Sequence, residues 1–148
     1  KAEIVVGIAR ALGMETLIPP TATGDVDTDL RAKAAAALQL LASNDFVLAH
    51  FNGSDEASHR YDYAAKAAFI TKIDQEFLQP LASRLQEPVK VIVCGDHVTS
   101  SVTGKHGDGC TPVVAGYLRS DLLQDKQCTR WQPQSYHQIL NFLMKESD

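Results

Sequence analysis

Two apolar stretches, DFVLAHF at residues 45–51 and VKVIVC at residues 89–94, decide the fold that the sequence predicts. Both have the length of a strand, and their continuous apolar character is typical of strands buried on both faces. The intervening stretch, RYDYAAKAAFITKIDQEFLQPLASRLQ at residues 60–86, predicts a long helix in which Pro80 marks a kink or an end. A strand, a helix and a second strand in this order predict a βαβ unit with a parallel sheet. We therefore expect an α/β fold.

Further elements are predicted on either side of this unit. A short helix ends near Gly13, METLIPP at residues 14–20 reads as a strand, and Ala- and Leu-rich residues 28–43 predict a helix capped by Thr28 or Asp27. TPVVAGYL at residues 111–118 predicts another strand, and YHQILNFLMK at residues 136–145 an amphipathic helix. The core-facing side of the long helix is expected to carry Tyr63, Ala67, Ile70, Ile73, Phe77, Leu81 and Leu85.

Composition restricts the class of protein. With 148 residues, 45% hydrophobic and 22% charged, the chain has the size and composition of one globular domain, residues 1–148. The formal net charge of -4 gives no basic field for nucleic acid, and no apolar run approaches the roughly 20 residues that span a bilayer. The sequence shows no signal-peptide pattern, so a cytoplasmic location is expected. The odd number of cysteines, three, fits a reducing compartment.

Polar clusters follow both strands of the predicted βαβ unit. Asp55 and His59 come after the first strand, Asp96 and His97 come directly after the second, and His106 lies in the loop before the next strand. The carboxyl ends of parallel strands meet at one edge of an open α/β sheet, where ligands bind. We therefore expect these five side chains to converge.

Two carboxylates and three imidazoles form a ligand set that suits zinc, manganese or iron. Five ligands exceed what one catalytic ion usually takes from a protein, so two ions are the better interpretation. A metal pair can clamp the attacking and leaving oxygens of a displacement at phosphorus. Taken singly, each cluster has a simpler explanation: Gly95-Asp96-His97 as a turn, and Asp55 with His59 as a helix cap and a first-turn histidine.

The order of these motifs resembles a known family. DFVLAHFNGSDEASH (45–59), KVIVCGDHVTS (90–100), KHGDGCTPVV (105–114) and the upstream ATGDVDTDLRAKAAAA (22–37) are similar to the C-terminal half of cofactor-independent phosphoglycerate mutases, especially their archaeal-type branch. The similarity runs from about residue 7 to residue 116. It implies a three-layer α/β/α fold with a mostly parallel sheet, as in alkaline phosphatase, of which this chain supplies the C-terminal part.

The resemblance also implies roles for the clustered residues. Asp55, His59 and His106 would hold one divalent ion, Mn²⁺ or Zn²⁺, and Asp96 and His97 a second. In the family the second ion also needs an aspartate and the nucleophilic serine from the N-terminal part, for which this sequence has no match. We therefore expect no catalytic residue and no turnover from this chain alone, and open sheet edges that favour self-association.

The function implied for the whole enzyme is isomerisation of 3-phosphoglycerate and 2-phosphoglycerate through a phosphoserine intermediate. Related phosphatases, phosphopentomutases and pyrophosphatases share the ligand pattern, and a non-catalytic module is a further alternative. Residues outside the cluster are weaker candidates for a functional role. Lys66 and Lys105 are candidate phosphate contacts or solvated charges, Cys94 a buried inert thiol, and His50 a core residue or a neighbour of the site. His137 is given no role.

Overall fold

A computed structural model describes residues 3–119 and 136–144 of the chain. The helices are α1 Glu3–Ala11, α2 Leu30–Leu41, α3 Gly53–His59, α4 Tyr63–Lys72, α5 Gln79–Ala82 and α6 Tyr136–Met144. The strands are β1 Val89–Cys94, β2 Val98–Thr99, β3 His106–Gly107 and β4 Val113–Leu118. The chain therefore combines helices and strands, as predicted. None of the helices in the described ranges is long and apolar enough to cross a membrane.

Helix α2 lies at the centre of the hydrophobic core. Its first turn is capped by Asp29, whose Oδ1 accepts a hydrogen bond from the backbone N–H of Ala32 at 2.8 Å. The predicted helix is thus confirmed, although its cap is Asp29 and not Thr28 or Asp27. Its buried stripe packs on the helical region 69–81. The buried core side chains are Leu30, Ala34, Ala37, Phe69, Phe77 and Leu81.

The long helix predicted over residues 60–86 is divided. Asp62 accepts a hydrogen bond from the backbone N–H of Ala65 at 2.8 Å and so begins α4 as a new helix. A π-helical segment, Ile73–Leu78, then separates α4 from α5. Pro80 lies in the first turn of α5, where its missing N–H breaks the α-helical hydrogen-bond pattern. The α-helix is thus interrupted just before Pro80 and ends at Ala82, two residues after it, in agreement with the predicted end.

The predicted apolar face is only partly correct. Phe77 and Leu81 are buried and Ile73 packs against them, but Tyr63 and Ile70 are exposed. Phe69 fills the core position that Ile70 was expected to take. The π-helical segment has more residues per turn than an α-helix. Residues before and after this segment therefore share a buried face at a different spacing from the one that an unbroken α-helix would give.

The described strands form two antiparallel pairs. Strand β1 pairs with β4 in a register that places Val89 opposite Leu118 and Cys94 opposite Val113. Strands β2 and β3 form a short hairpin. The strand predicted at 111–118 is confirmed as β4, and α6 confirms the C-terminal helix and packs against β1.

No parallel pair occurs among the described residues, so the mostly parallel three-layer sheet is not confirmed. Residues 45–51 and 14–20, both predicted as strands, have no regular secondary structure. A strand is defined by hydrogen bonds to a neighbour, and these two segments are paired with no other part of residues 3–119 or 136–144. Phe46 and Leu48 consequently remain about half exposed, at 52% and 56%.

The thiol of Cys94 is also placed differently from the prediction. Cys94 is the last residue of β1 and is exposed, so the prediction of a buried thiol is wrong. Strand β1 is half-buried along its first four residues and becomes exposed at its carboxyl end. Cys110 is exposed as well, and Cys128 lies outside the described residues.

Candidate metal centre

Helix α3 carries the first two predicted ligands on one face. Asp55 and His59 are four residues apart, a spacing that brings side chains together on a helix. The Oδ2 atom of Asp55 lies 3.3 Å from Nε2 of His59. Asp55 is half-buried and His59 is exposed, so the pair lies at the surface of the molecule with one side open to solvent.

The β2–β3 hairpin brings the third ligand to the same place. In its register Thr99 of β2 lies opposite His106 of β3, and Nε2 of His106 is 3.8 Å from Oδ1 of Asp55. The connecting loop closes through a hydrogen bond from the backbone N–H of Gly104 to the carbonyl of Ser100 at 2.8 Å. Gly104 has a φ of +64°, a backbone conformation that side chains disfavour.

Asp55, His59 and His106 together offer three ligand atoms within 4.8 Å of one another. Ligands of a zinc-sized ion lie about 2.0–2.2 Å from it and hence roughly 3–4 Å apart, so the cluster is close to liganding distance. The ring orientation of His59 fits this interpretation. Its Nδ1 is 2.8 Å from the carbonyl oxygen of Gly104. A carbonyl only accepts, so Nδ1 must donate, and the Nε2 lone pair faces Asp55 as in metal-bound histidines.

Asp96 and His97 adjoin this cluster at the carboxyl end of β1. The ring of His97 stacks on His106 with 4.0 Å between centroids, and its Nε2 lies 3.5 Å from Oδ2 of Asp96. The side chain of Asp96 is 80% exposed. The structure thus gathers Asp55, His59 and His106 into one group and places Asp96 and His97 beside it as a separate pair.

Two residues that organise the site were not predicted in that role. The hydroxyl of Thr99 donates to Oδ1 of Asp55 at 2.5 Å, and Nζ of Lys66 donates to the carbonyl of Thr99 at 2.8 Å. Lys66 is therefore bound to the main chain of the hairpin and is not simply a solvated charge, and its contact with a phosphate stays a prediction. Strand alternation offers a signal for Thr99, because residues 97 and 99 point to the same side of an extended chain.

His50 lies near the Asp96 side of the site and is half-buried. Burial lowers the pKa of His50, and the positive charge of Lys33 lowers this pKa further, whereas the charge of Asp96 raises it. Burial also lowers the pKa of Lys33, whose Nζ donates to the backbone carbonyl of His50 at 2.8 Å. The interpretation of His50 as a neighbour of the site fits these contacts. The side chain of His137 lies outside what the structure describes.

One carboxylate and two imidazoles lie together at a solvent-open rim, with a second Asp-His pair beside them, and this donor set is typical of a metalloenzyme. The sequence model of the Metalloenzyme superfamily matches residues 2–130. The chain belongs to this superfamily.

Its relatives carry a more specific name. The chain is 34% identical over 122 residues to the 2,3-bisphosphoglycerate-independent phosphoglycerate mutase of Metallosphaera sedula, covering 82% of this chain and 29% of the relative. It is 38% identical over 115 residues to the enzyme of that name from Methanopyrus kandleri, covering 76% and 27%. The chain thus spans less than a third of the length of these relatives.

A solved structure has the same arrangement over most of the chain. The PH0037 protein from Pyrococcus horikoshii superimposes with a TM-score of 0.68 at 32% identity, over 79% of this chain and 36% of that one. The family resemblance stated from the sequence motifs is therefore confirmed.

Proposed function

We propose that this chain is the metal-binding portion of a cofactor-independent phosphoglycerate mutase that interconverts 3-phosphoglycerate and 2-phosphoglycerate. The observation that carries the proposal is the convergence of Asp55, His59 and His106 within 4.8 Å, in a chain whose relatives bear that enzyme's name. Residues 1–148 would form the C-terminal part of an alkaline-phosphatase-like domain. Its mostly parallel three-layer sheet, like the cytoplasmic location, stays a prediction.

The proposed ligand assignment follows the two groups of side chains. Asp55, His59 and His106 would hold one divalent ion, and Asp96 with His97 would hold a second. Mixed imidazole and carboxylate ligands suit Mn²⁺ or Zn²⁺. When bound, such ions neutralise phosphoryl oxygens and lower the pKa of a serine nucleophile. The contribution of this chain is to hold the carboxylate and imidazole donors in place at the rim.

The serine nucleophile of the proposed reaction belongs to another part of the enzyme. Ser58, beside the ligands on α3, is fully buried and donates to the carbonyl of Ser54 at 2.8 Å. Its hydroxyl is thus unavailable to a phosphate ester. This supports the proposal that the purified chain alone has no mutase or phosphatase turnover. The names of the relatives support a phosphoglycerate-type small molecule as the substrate of the whole enzyme.

Metal binding is the first test of the proposal. Calorimetric titration of the purified chain with Zn²⁺ or Mn²⁺ should detect one ion, and His59→Ala should abolish its binding. His97→Ala should have a smaller effect, since two adjacent ligands leave most of the coordination to water. Asp55→Asn should also lose the ion, whereas Asp45→Asn, an exposed carboxylate outside the cluster, serves as the matched control. Equal losses from His59→Ala and His97→Ala would contradict the assignment of two separate groups.

The reaction is tested by complementation. The chain is mixed with the part of the Methanopyrus kandleri enzyme that it does not match, and conversion of 3-phosphoglycerate to 2-phosphoglycerate is measured. Activity that requires both parts and disappears with Asp55→Asn is the expected result. Hydrolysis of a chromogenic phosphate ester without isomerisation would favour a phosphatase. Metal-dependent turnover by the chain alone would show that it holds a nucleophile.

A further inference from the structure

Thr99 connects the two groups of predicted ligands. Thr99, the last residue of β2, is 5% exposed, and β2 packs against α3. Its Oγ1 lies 2.5 Å from Oδ1 of Asp55 and 3.1 Å from Nδ1 of His97. One hydroxyl therefore contacts a member of each group.

Proton counting fixes the direction of both hydrogen bonds. An ionised carboxylate only accepts, so the single hydroxyl proton of Thr99 is donated to Asp55. The Thr99 oxygen can then only accept from His97, so Nδ1 of His97 carries a proton. In the neutral imidazole this leaves the lone pair on Nε2, the atom that faces Asp96 at 3.5 Å.

We infer that Thr99 is a positioning residue that couples the two metal-binding groups, and this inference rests on the metal site proposed above. Thr99 holds Oδ1 of Asp55, so that Oδ2 remains directed at Nε2 of His59. The same hydroxyl imposes the Nδ1–H tautomer on His97 and leaves its Nε2 free to bind an ion. Thr99 is not itself a ligand in this arrangement.

The backbone of Thr99 is fixed independently of its side chain. Nζ of Lys66 donates to the Thr99 carbonyl, and the ladder to His106 uses the main chain. Replacing Thr99 by valine keeps both of these backbone contacts and nearly the same shape, and it puts a methyl group, which cannot form hydrogen bonds, in place of the hydroxyl. Replacing it by serine keeps the hydroxyl and removes the methyl group. These two variants therefore separate a hydrogen-bonding role from a packing role.

The first readout needs no metal. Ring-nitrogen NMR shifts of the ¹⁵N-histidine-labelled chain, at a mildly alkaline pH where ordinary imidazoles are neutral, report the tautomer of His97. We expect the Nδ1–H form in the wild type and in Thr99→Ser, and a loss of that preference in Thr99→Val. Thr103 is an exposed threonine in the loop between β2 and β3, so Thr103→Val is the matched control and should leave the spectrum unchanged. An unaltered His97 tautomer in Thr99→Val would overturn the inference.

The second readout is metal affinity. Removing the partner that orients a ligand typically costs 10–100-fold, so Thr99→Val should weaken Zn²⁺ binding by about that factor, with Thr99→Ser close to wild type. A urea midpoint confirms that Thr99→Val is folded, and Thr99→Ala replaces it if it is not. If the wild type binds Zn²⁺ and Thr99→Val binds it equally well, the inference fails while the proposed function stands. If the wild type binds no ion, the proposed function fails, and the His97 tautomer alone decides whether Thr99 orients His97.

Discussion

Gly53→Ala is expected to destabilise the fold, against the usual effect of this substitution in a helix. Gly53 is the first residue of α3, and alanine there would normally gain about 0.5–1 kcal/mol because glycine is the more flexible residue when unfolded. An added Cβ, however, would lie 2.8 Å from Cε1 and Cζ of Phe69 and 2.9 Å from the backbone carbon of Asp25. Both distances are well inside ordinary van der Waals contact.

Neither neighbour can move away easily. Phe69 is 1% exposed and packs in the core. Asp25 is held by two hydrogen bonds from the guanidinium of Arg60, at 2.6 and 2.7 Å. Overpacking of this kind costs about 1–3 kcal/mol, which exceeds the gain in chain entropy. From the middle of these two ranges, the net loss should be about 1 kcal/mol, or roughly 2–4 °C in melting temperature for a chain of this size.

Urea and thermal denaturation of wild type, Gly53→Ala and Gly7→Ala measure this effect. Gly7 lies within α1 with no atom within 4 Å of an added Cβ, so its substitution should be neutral or stabilising by up to about 1 kcal/mol. Because α3 carries Asp55 and His59, Gly53→Ala should also weaken Zn²⁺ binding. If Gly53→Ala were as stable as Gly7→Ala, α3 would not pack as closely against Phe69 and Asp25 as these distances indicate.

Three further predictions concern pH, metal and association. Hydrogen bonds from Arg60 lower the pKa of Asp25, so their stabilisation is present above the ordinary aspartate pKa of about 3.9 and is lost as pH falls through the lowered value. Denaturation at about pH 5 and pH 2.5 should show a smaller acid loss in Arg60→Gln than in wild type; equal losses would contradict this. Zn²⁺ at 100 times its dissociation constant should raise the free energy of unfolding by about 2.7 kcal/mol, reversibly with a chelator, and an unchanged melting temperature would contradict a folded-state site. Finally, light scattering over a concentration series should detect self-association through the apolar segment 45–51, which pairs with no strand of the described residues, and Phe46→Lys should weaken it. A strictly monomeric wild type would refute this prediction.

The parts of the fold that the sequence predicted correctly are those determined by local interactions. Helix α2 follows from its Ala- and Leu-rich periodicity and a capping aspartate, and both signals lie within the helix itself. Strand β4 was also predicted, from a short apolar run. The strand expected at 45–51 was not found, because apolarity shows that a segment would be buried by a neighbour without showing where that neighbour is.

The sequence predicted which side chains come together but not the contacts that hold them, and their role as metal ligands stays a prediction. Asp55, His59 and His106 were named from motif spacing and from the family resemblance, and the structure brings them together. Thr99 was missed because its role depends on the β2–β3 register and on the packing of α3 against the hairpin. Side-chain hydrogen bonds between residues more than 40 positions apart, such as Thr99 to Asp55, are fixed only by tertiary structure.

The structural elements that bring the predicted ligands together differ from those first predicted. Convergence was expected from the edge of a parallel sheet, yet Asp55 and His59 meet through helical spacing and His106 joins them through a hairpin. Neither of these needs a parallel sheet, so the first group depends only on elements within residues 53–107. Asp96 and His97, by contrast, follow the exposed carboxyl end of β1, where Asp96 faces solvent. The second pair contacts the first group through the hydrogen bonds of Thr99 and through the stacking of His97 on His106. The positions of Asp96 and His97 therefore depend on the first group as well as on β1.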